Sequence, residues 1–137
     1  HPRTLNRIST FPSLPAFHPL VRVLKPLGFL DYCCLQLNSY CVLSDSGTIF
    51  EESSLLSFPA ITLRSTHERH EAFDDGILIM ADLNPTSVID SINISRSLFL
   101  PGLTPSVSDY SAGIVSSKIL KLVQSYVPYV NNYIWHK

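Results

Sequence analysis

A turn of small hydroxyl residues, followed by two carboxylates, is the part of the sequence best suited to chemistry. The turn 46–48 reads Ser-Gly-Thr, follows the apolar run 40–43, and precedes two glutamates at 51–52. If a strand ends and a helix begins here, the unpaired first-turn amides and the helix dipole favour a bound phosphate. The alternative is a plain strand-to-helix connection, in which Asp45 or Ser46 caps the helix.

A second polar block follows the next apolar run. Residues 64–71 read RSTHERHE, the most polar stretch of the chain, and they would fall on the same edge of a sheet as the first turn. This block could surround a charged ligand, or it could be a solvated loop with internal pairs between arginine and carboxylate. Its histidines, His67 and His70, are three residues apart, whereas the HExxH zinc motif separates them by four. The spacing therefore disfavours a metal site.

Composition and charge exclude several classes of partner. The 137-residue chain is 45% hydrophobic and 15% charged, which suits one folded domain with a core. A formal net charge of -1 gives no basic field for nucleic acid. No apolar stretch reaches the roughly 18 residues of a membrane span, and the start of the chain lacks a signal-peptide pattern. We expect a cytoplasmic protein, and the opening His-Pro-Arg without an initiator Met suggests a fragment.

Apolar runs and turn signals predict the elements that would position these residues. The strands are continuous apolar runs without strict alternation, which is typical of a parallel sheet covered on both faces. Asp31 is expected to cap the first helix, and Ile49, Leu55 and Leu56 are expected to face inward from the second. Predicted strands span 20–24, 40–43, 60–63 and 77–80, and predicted helices span 32–38, 49–57, 86–98 and 112–127, with a loop at 99–109 and a short helical tail after Pro128.

The cysteines predict no special chemistry. Cys33, Cys34 and Cys41 lie in apolar sequence at spacings that suit neither a zinc site nor a disulfide framework. We expect buried thiols.

Three ordered motifs give the chain a resemblance to a known family. They are HPRT at 1–4, DSGTIFEE at 45–52 with Phe-Pro at 58–59, and RSTHERHE at 64–71. In this order they resemble the C-terminal half of the non-hydrolysing UDP-N-acetylglucosamine 2-epimerases, closest to the capsule and O-antigen branch. The resemblance is close over residues 1–98, and it implies one incomplete UDP-binding domain over 1–137. The implied fold is α/β, a Rossmann-like parallel sheet with flanking helices, as in the C-terminal half of a glycosyltransferase-B-type two-domain enzyme.

The same resemblance implies roles for individual residues. The turn 46–48 would hold the diphosphate of UDP, and Glu52 would accept hydrogen bonds from the ribose hydroxyls, which suits a carboxylate. The segment 27–32 would form the uracil pocket. The full set implied to bind substrate is Arg3, Leu27, Phe29, Tyr32, Ser46, Gly47, Thr48, Glu52, Arg64 and Arg69, in which the last two arginines support the phosphates or the loop geometry, and His1 matches a histidine implicated in catalysis.

The implied reaction inverts C2 of a UDP-HexNAc by anti elimination of UDP and its readdition, and it needs neither metal nor nicotinamide. The family's acid and base carboxylates belong to an N-terminal domain, so we expect this polypeptide alone to be inactive. Alternatives are a branch that forms UDP-N-acetyl-L-fucosamine, a non-catalytic UDP-binding module, and a glycosyltransferase of the same architecture. The apolar side chains of 112–137 would face an N-terminal domain or a neighbouring molecule, and a homo-oligomer is expected.

Overall fold

The chain forms two compact units, His1–Asn38 and Ser39–Lys137. The computed structural model describes residues 2–11, 17–66, 68–103, 106–111 and 113–137.

The first unit contains two helices, α1 (Pro2–Thr10) and α2 (Phe29–Leu37). The predicted strand at 20–24 is wrong: these residues are solvent-exposed and belong to none of the strands in the described residues. An apolar β-branched run becomes a strand only where a neighbouring strand satisfies its backbone groups. Helix α1 was not predicted, and α2 begins three residues earlier than expected.

The start of α2 corrects one predicted cap. Gly28, in an extended conformation, occupies the N-cap position, and Asp31 lies inside the first turn. There its carboxylate interacts favourably with the positive end of the helix dipole without capping the backbone.

The second unit alternates short strands and helices. Its elements are β1 (Val42–Ser44), α3 (Ile49–Leu56), β2 (Ala60–Thr62), α4 (His70–Asp74), β3 (Ile79–Met80), α5 (Pro85–Leu98), a 3₁₀ turn (Ser108–Ser111), α6 (Val115–Tyr129) and a π-helical turn (Val130–Ile134).

The strands pair in the order β1-β2-β3, all parallel, with Leu43 beside Ile61 and Ile61 beside Ile79. The prediction of a parallel α/β sheet is confirmed, and so are the three predicted strands of this unit, each shorter than expected. Because all three strands run the same way, their carboxyl ends meet at one edge of the sheet.

The core of this unit lies between α3, the sheet and α4. Its aromatic centre is Phe50, whose ring centroid lies 5.4 Å from that of Phe73. The buried members of the cluster are Ile49, Phe50, Phe58, Ala60, Ala72, Ile77, Leu78 and Val107.

Helix α3 presents a different face to this core than the apolar pattern predicted. Ile49, Phe50, Ser53 and Ser54 are buried, while Leu55 is 55% exposed, so its predicted inward position is wrong. Residues at i, i+1, i+4 and i+5 share one side of a helix, and once the first two are buried the next two follow regardless of polarity. The two serines satisfy this burial through hydrogen bonds.

Both serine hydroxyls reach backbone groups outside the helix. The Ser53 hydroxyl donates to the Phe58 carbonyl oxygen at 2.8 Å, and the Ser54 hydroxyl oxygen accepts from the Val107 N–H at 3.0 Å. The helix ends at Ser57, whose φ of 56° is left-handed and positions Phe58 to enter the core. These bonds fix α3 to the chain that leads into β2 and to the segment before the 3₁₀ turn.

Helix α5 confirms its prediction to within one residue. The Asn84 side chain caps it by accepting from the Ser87 N–H at 2.8 Å, and Pro85 stands at the first helical position. The Ser95 hydroxyl donates to the Ala60 carbonyl oxygen at 3.4 Å, which links the helix to the central strand.

The C-terminal part differs from prediction in two places. The predicted loop at 99–109 overlaps the 3₁₀ turn, and Pro128 lies inside α6 instead of ending it. A proline in the last turn removes one N–H donor, which the short π-helical continuation tolerates. Large apolar side chains of α6, among them Ile119, Leu122 and Tyr126, are exposed.

The cysteines are less buried than predicted. Cys34 is exposed, and Cys33 and Cys41 are half-buried. Burial raises the pKa of the Cys41 thiol, which makes its reactive thiolate scarcer. Among the described residues, no helix combines the length and apolar character required to cross a bilayer.

The serines of α3 generate a stability prediction. Ser54→Ala leaves the Val107 N–H without its partner in a buried setting, and we expect it to lower the free energy of unfolding by about 1–3 kcal/mol. Chemical denaturation measures the change. Ser116→Ala, an exposed serine in α6, is the matched control and should change stability by less than about 0.5 kcal/mol. Equal effects of the two substitutions would contradict the role of Ser54.

Candidate functional site

An open cleft lies along the carboxyl edge of the sheet. It has a volume of about 600 Å³. The Leu63 N–H donates to the Ser44 carbonyl oxygen at 3.0 Å and the Ala81 N–H to that of Thr62 at 2.9 Å, so the lining continues the sheet's hydrogen bonding. The lining consists of Asp45, Leu63, Arg64, Ser65, Thr66, Met80, Ala81, Asp82 and Leu83.

The small-residue turn folds as a network of its own hydroxyls. The Ser46 N–H donates to the Ser44 hydroxyl at 3.0 Å, and the Thr48 N–H to the Ser46 hydroxyl at 3.3 Å. The Ser46 and Thr48 hydroxyls lie 3.0 Å apart. Helix α3 then starts with Thr48 at its N-cap, without a side-chain capping bond. The Ser46 hydroxyl therefore bonds the N-cap residue instead of a first-turn amide, while the Ile49 N–H donates to the Ser46 carbonyl oxygen at 3.4 Å. The next amides of the first turn, those of Phe50 and Glu51, have no acceptor within the helix.

Glu52 is tied to the same turn. The Thr48 hydroxyl donates to Glu52 Oε1 at 2.6 Å, across one turn of α3. This bond holds the half-buried carboxylate at the mouth of the helix instead of leaving it to extend into solvent. The role of Glu52 as acceptor for the ribose hydroxyls, which the family resemblance implies, stays a prediction.

Gly47 and Arg64 lie against each other. A side-chain carbon placed on Gly47 would stand 3.5 Å from Arg64 Nη1. The guanidinium of the residue just after β2 therefore lies over the glycine of the turn after β1. This contact places a fixed positive charge beside the helix start, where it favours a bound anion.

Arg69 makes an ion pair with Glu51. Arg69 Nε donates to Glu51 Oε1 at 2.7 Å, and the two side chains are 41% and 28% exposed. This hydrogen bond raises the pKa of Arg69. The other carboxylate oxygen, Glu51 Oε2, is buried and has no hydrogen-bond partner among the described residues. The pair connects the N-cap of α4 to the first turn of α3, so the two predicted arginines occupy different places: Arg64 lines the cleft, whereas Arg69 braces the helix.

A second pair lies next to the first. The Tyr110 hydroxyl donates to Glu71 Oε1 at 3.1 Å. Burial of the Tyr110 hydroxyl raises its pKa, and the hydrogen bond to Glu71 raises it further. A hydrogen bond from its own backbone N–H lowers the pKa of Glu71, and the hydrogen bond from the Tyr110 hydroxyl lowers it further. Glu51 and Arg69 also influence the Tyr110 pKa electrostatically. We call the cluster of Glu51, Arg69, Glu71 and Tyr110 the clamp, because it connects α3, α4 and the 3₁₀ turn.

The remaining predicted site residues belong to the first unit. Arg3 is exposed on α1, and Leu27 is exposed just before α2. Phe29 and Tyr32 stand three residues apart on α2, on one side of the helix, and are 78% and 41% exposed. Their assignment to a uracil pocket stays a prediction. His1, the predicted catalytic residue, lies outside the described residues.

Sequence reasoning missed part of the cleft and the clamp. Asp82 stands two residues after β3 and lines the cleft. Its two carboxylate oxygens accept from the Leu83 N–H at 2.7 Å and the Asn84 side-chain amide at 3.1 Å. Its position after a predicted strand was a usable signal. Tyr110 gave none, because it lies between the predicted loop and the next predicted helix, 39 residues from its partner Glu71. Within the described ranges, no three His, Cys, Asp or Glu side chains are grouped to hold a metal.

The fold and this edge define a parallel α/β domain of the kind that binds ligands at strand ends, and comparison with known proteins gives its family. The model of the family described as UDP-N-acetylglucosamine 2-epimerase matches residues 1–124. This chain therefore belongs to the UDP-N-acetylglucosamine 2-epimerase family.

Individual relatives agree with the family match. The chain is 32% identical over 96 residues to a UDP-N-acetylglucosamine 2-epimerase from Methanocaldococcus jannaschii, covering 69% of this chain and 26% of the relative. A protein of the same name from Methanococcus maripaludis is 30% identical over 94 residues, covering 67% and 26%. A solved UDP-N-acetylglucosamine 2-epimerase from Rickettsia bellii superposes with a TM-score of 0.85 at 41% identity, covering 100% of this chain and 38% of that one. The chain thus spans about a quarter of the length of the two curated relatives and 38% of the solved structure.

The Tyr110–Glu71 pair predicts a pH dependence of stability. Because folding raises the pKa of Tyr110 above the unfolded value of about 10, its contribution is fully present below pH 10 and is lost as pH rises through the folded pKa. The thermal midpoint should therefore fall more steeply above pH 10 in the wild type than in Tyr110→Phe. Tyr133→Phe, an exposed tyrosine near the C-terminal end, is the control and should keep the wild-type slope. Identical slopes in all three proteins would refute the assignment.

Proposed function

We propose that this chain is the UDP-binding part of a non-hydrolysing UDP-N-acetylglucosamine 2-epimerase. The observation that carries the proposal is the Gly47–Arg64 contact at the start of α3, which joins a glycine turn, open helix amides and a guanidinium at the carboxyl edge of the sheet. Each of these three features favours a diphosphate, and their coincidence on one edge supports anion binding there. The family match over residues 1–124 supports the choice of nucleotide.

The individual groups take the roles that the family resemblance implies. The turn 46–48 holds the diphosphate, for which its hydroxyls and its Ser46 and Thr48 N–H groups exchange the bonds that they make within the turn and to Glu52 for bonds to the ligand. Arg64 neutralises part of the diphosphate charge, and Glu52 accepts from the ribose hydroxyls. Arg69, which is paired with Glu51 in the first turn of α3, supports the phosphates from beside that helix. Arg3, the segment 27–32 and His1 keep the roles that the family resemblance implies, which are substrate binding beside His1, uracil binding and catalysis.

The proposed reaction inverts C2 of a UDP-HexNAc in two steps. A base removes the C2 proton as the bond between C1 and the diphosphate oxygen breaks, which releases UDP and leaves a glycal. UDP then adds back to C1 while a proton returns to C2 on the other face. The residues described here stabilise the departing diphosphate, whose developing charge is the main cost of C–O cleavage.

The parent enzyme needs groups that this segment does not contain. The acid and base carboxylates are supplied from outside this segment, so the 137 residues alone bind UDP without turning over substrate. The parent enzyme supplies a precursor for bacterial surface polysaccharide. Its alternatives are an epimerase that forms UDP-N-acetyl-L-fucosamine and a UDP-binding module without activity.

Direct binding measurements test the site. Isothermal titration calorimetry should show UDP binding by the wild-type chain and at least a tenfold loss of affinity in Gly47→Val, because the added methyl groups displace Arg64. Glu52→Ala should lower the affinity roughly tenfold to 150-fold, the range for one hydrogen bond to a charged group. Asp90→Ala, an exposed carboxylate on α5, should bind like the wild type. No binding by the wild type, or full binding by both site variants, would refute the proposal.

Self-association is part of the same proposal. Ile119, Leu122 and Tyr126 follow one side of α6 and are more than half exposed, and exposed apolar stripes of this kind favour association. Light scattering should give a mass above the 15.3 kDa of one chain, and Leu122→Glu should reduce it. Asp90→Ala serves again as the unaffected control. A monomer at high concentration would contradict this expectation.

A further inference from the structure

The ion pair between Arg69 and Glu51 contributes little to stability by itself. Both side chains are partly exposed, at 41% and 28%, and exposed pairs stabilise proteins only marginally. The second carboxylate oxygen, Glu51 Oε2, is buried without a partner among the described residues, which is a cost to the folded state. An arrangement that gains little and costs something suggests a role other than stability.

The geometry of the pair suggests that role. Glu51 contacts Arg69 only through Nε, and no other hydrogen bond of the Arg69 side chain occurs within the described residues. Bonding through Nε fixes the plane of the guanidinium while both terminal NH₂ groups remain as donors. A guanidinium presented in this way has the fork geometry that matches phosphate oxygens.

The position of Glu51 makes the pairing necessary for anion binding. It is the third residue of α3, the helix whose first-turn amides form the proposed diphosphate site. An unpaired carboxylate there would repel a diphosphate. Pairing with Arg69 neutralises Glu51 and brings a cation to the same helix turn.

We propose that Glu51 is a positioning residue that holds the Arg69 guanidinium for the diphosphate of the nucleotide. This inference rests on the proposed function. The Glu71–Tyr110 bond supports it, because that bond anchors α4 directly after Arg69 and so restrains the backbone from which the guanidinium extends.

Glu51→Gln separates this role from simple electrostatics. Removing a negative charge beside an anion site should by itself strengthen UDP binding. Replacing the charged acceptor of Arg69 Nε by a neutral amide oxygen weakens the bond that holds the guanidinium, and this should instead weaken UDP binding severalfold. Glu68→Gln is the matched control, since it removes the same charge from an exposed position next to Arg69. It should bind UDP as tightly as the wild type or slightly tighter.

Uridine separates positioning from a structural effect. Chemical-shift titrations of the labelled chain with UDP and with uridine measure both affinities, and Glu51→Gln should weaken UDP alone, with the uridine affinity and the thermal midpoint nearly unchanged. The double variant Glu51→Gln with Arg69→Gln should bind UDP no more weakly than Arg69→Gln, because the anchor has no value without the guanidinium. If Glu51→Gln fails to fold, Arg69→Lys gives the same comparison, since it keeps the charge and loses the planar fork.

The outcomes separate the two proposals. UDP binding by the wild type with unchanged or tighter binding by Glu51→Gln would overturn the positioning role and leave the proposed function standing. Equal losses for UDP and uridine would assign Glu51 a structural role and overturn the inference as well. Absence of UDP binding by the wild type would overturn both.

Discussion

Burial of one face of α3 is the constraint on which the rest of the second unit depends. Ile49 and Phe50 enter the core completely, and the hydroxyls of Ser53 and Ser54 bond to backbone groups on either side of the helix. A short helix held at four positions cannot rotate, so the direction of its first turn is set by packing. The N-cap at Thr48 and the glutamates that follow it are therefore presented to the strand edge by the core.

The same constraint explains why the sequence predicted the sheet better than the faces of its helices. Strands 40–43 and 60–63 are apolar on both sides, so a continuous run identified them without reference to partners. The segment 20–24 has a similar composition but has no neighbouring strand in the described residues. Whether a segment finds a strand to pair with depends on the rest of the fold, so its own sequence does not reveal it. Leu55 was predicted to face inward from its hydrophobicity alone. Because Ile49 and Phe50 are buried, the helical repeat places Ser54 on the buried side and leaves Leu55 exposed.

The candidate site likewise has a local part that the sequence could predict and a long-range part that it could not. Its local part, the turn after β1 with Thr48 and Glu52, was predictable because residues four apart on a helix meet. Its distant part was not: Arg69 reaches Glu51 across 18 residues, and Tyr110 reaches Glu71 across 39. Contacts of that separation depend on how α4 and the 3₁₀ turn pack, and no periodicity in the sequence encodes them.

Charge around the turn shows how a nearly neutral chain could hold a doubly charged group. Asp45, Glu51 and Glu52 outnumber Arg64 and Arg69, so net charge cannot supply the attraction. Each acid is instead engaged or offset: Glu52 accepts from Thr48, Glu51 from Arg69, and Asp45 shares the cleft with Arg64. What remains for an anion is a set of directed donors, namely helix amides and the guanidinium groups of Arg64 and Arg69. In such an arrangement affinity depends on orientation, since oriented donors cost little to reorganise when the ligand arrives. A residue that controls orientation, as Glu51 is proposed to do, should then matter more than its charge would indicate.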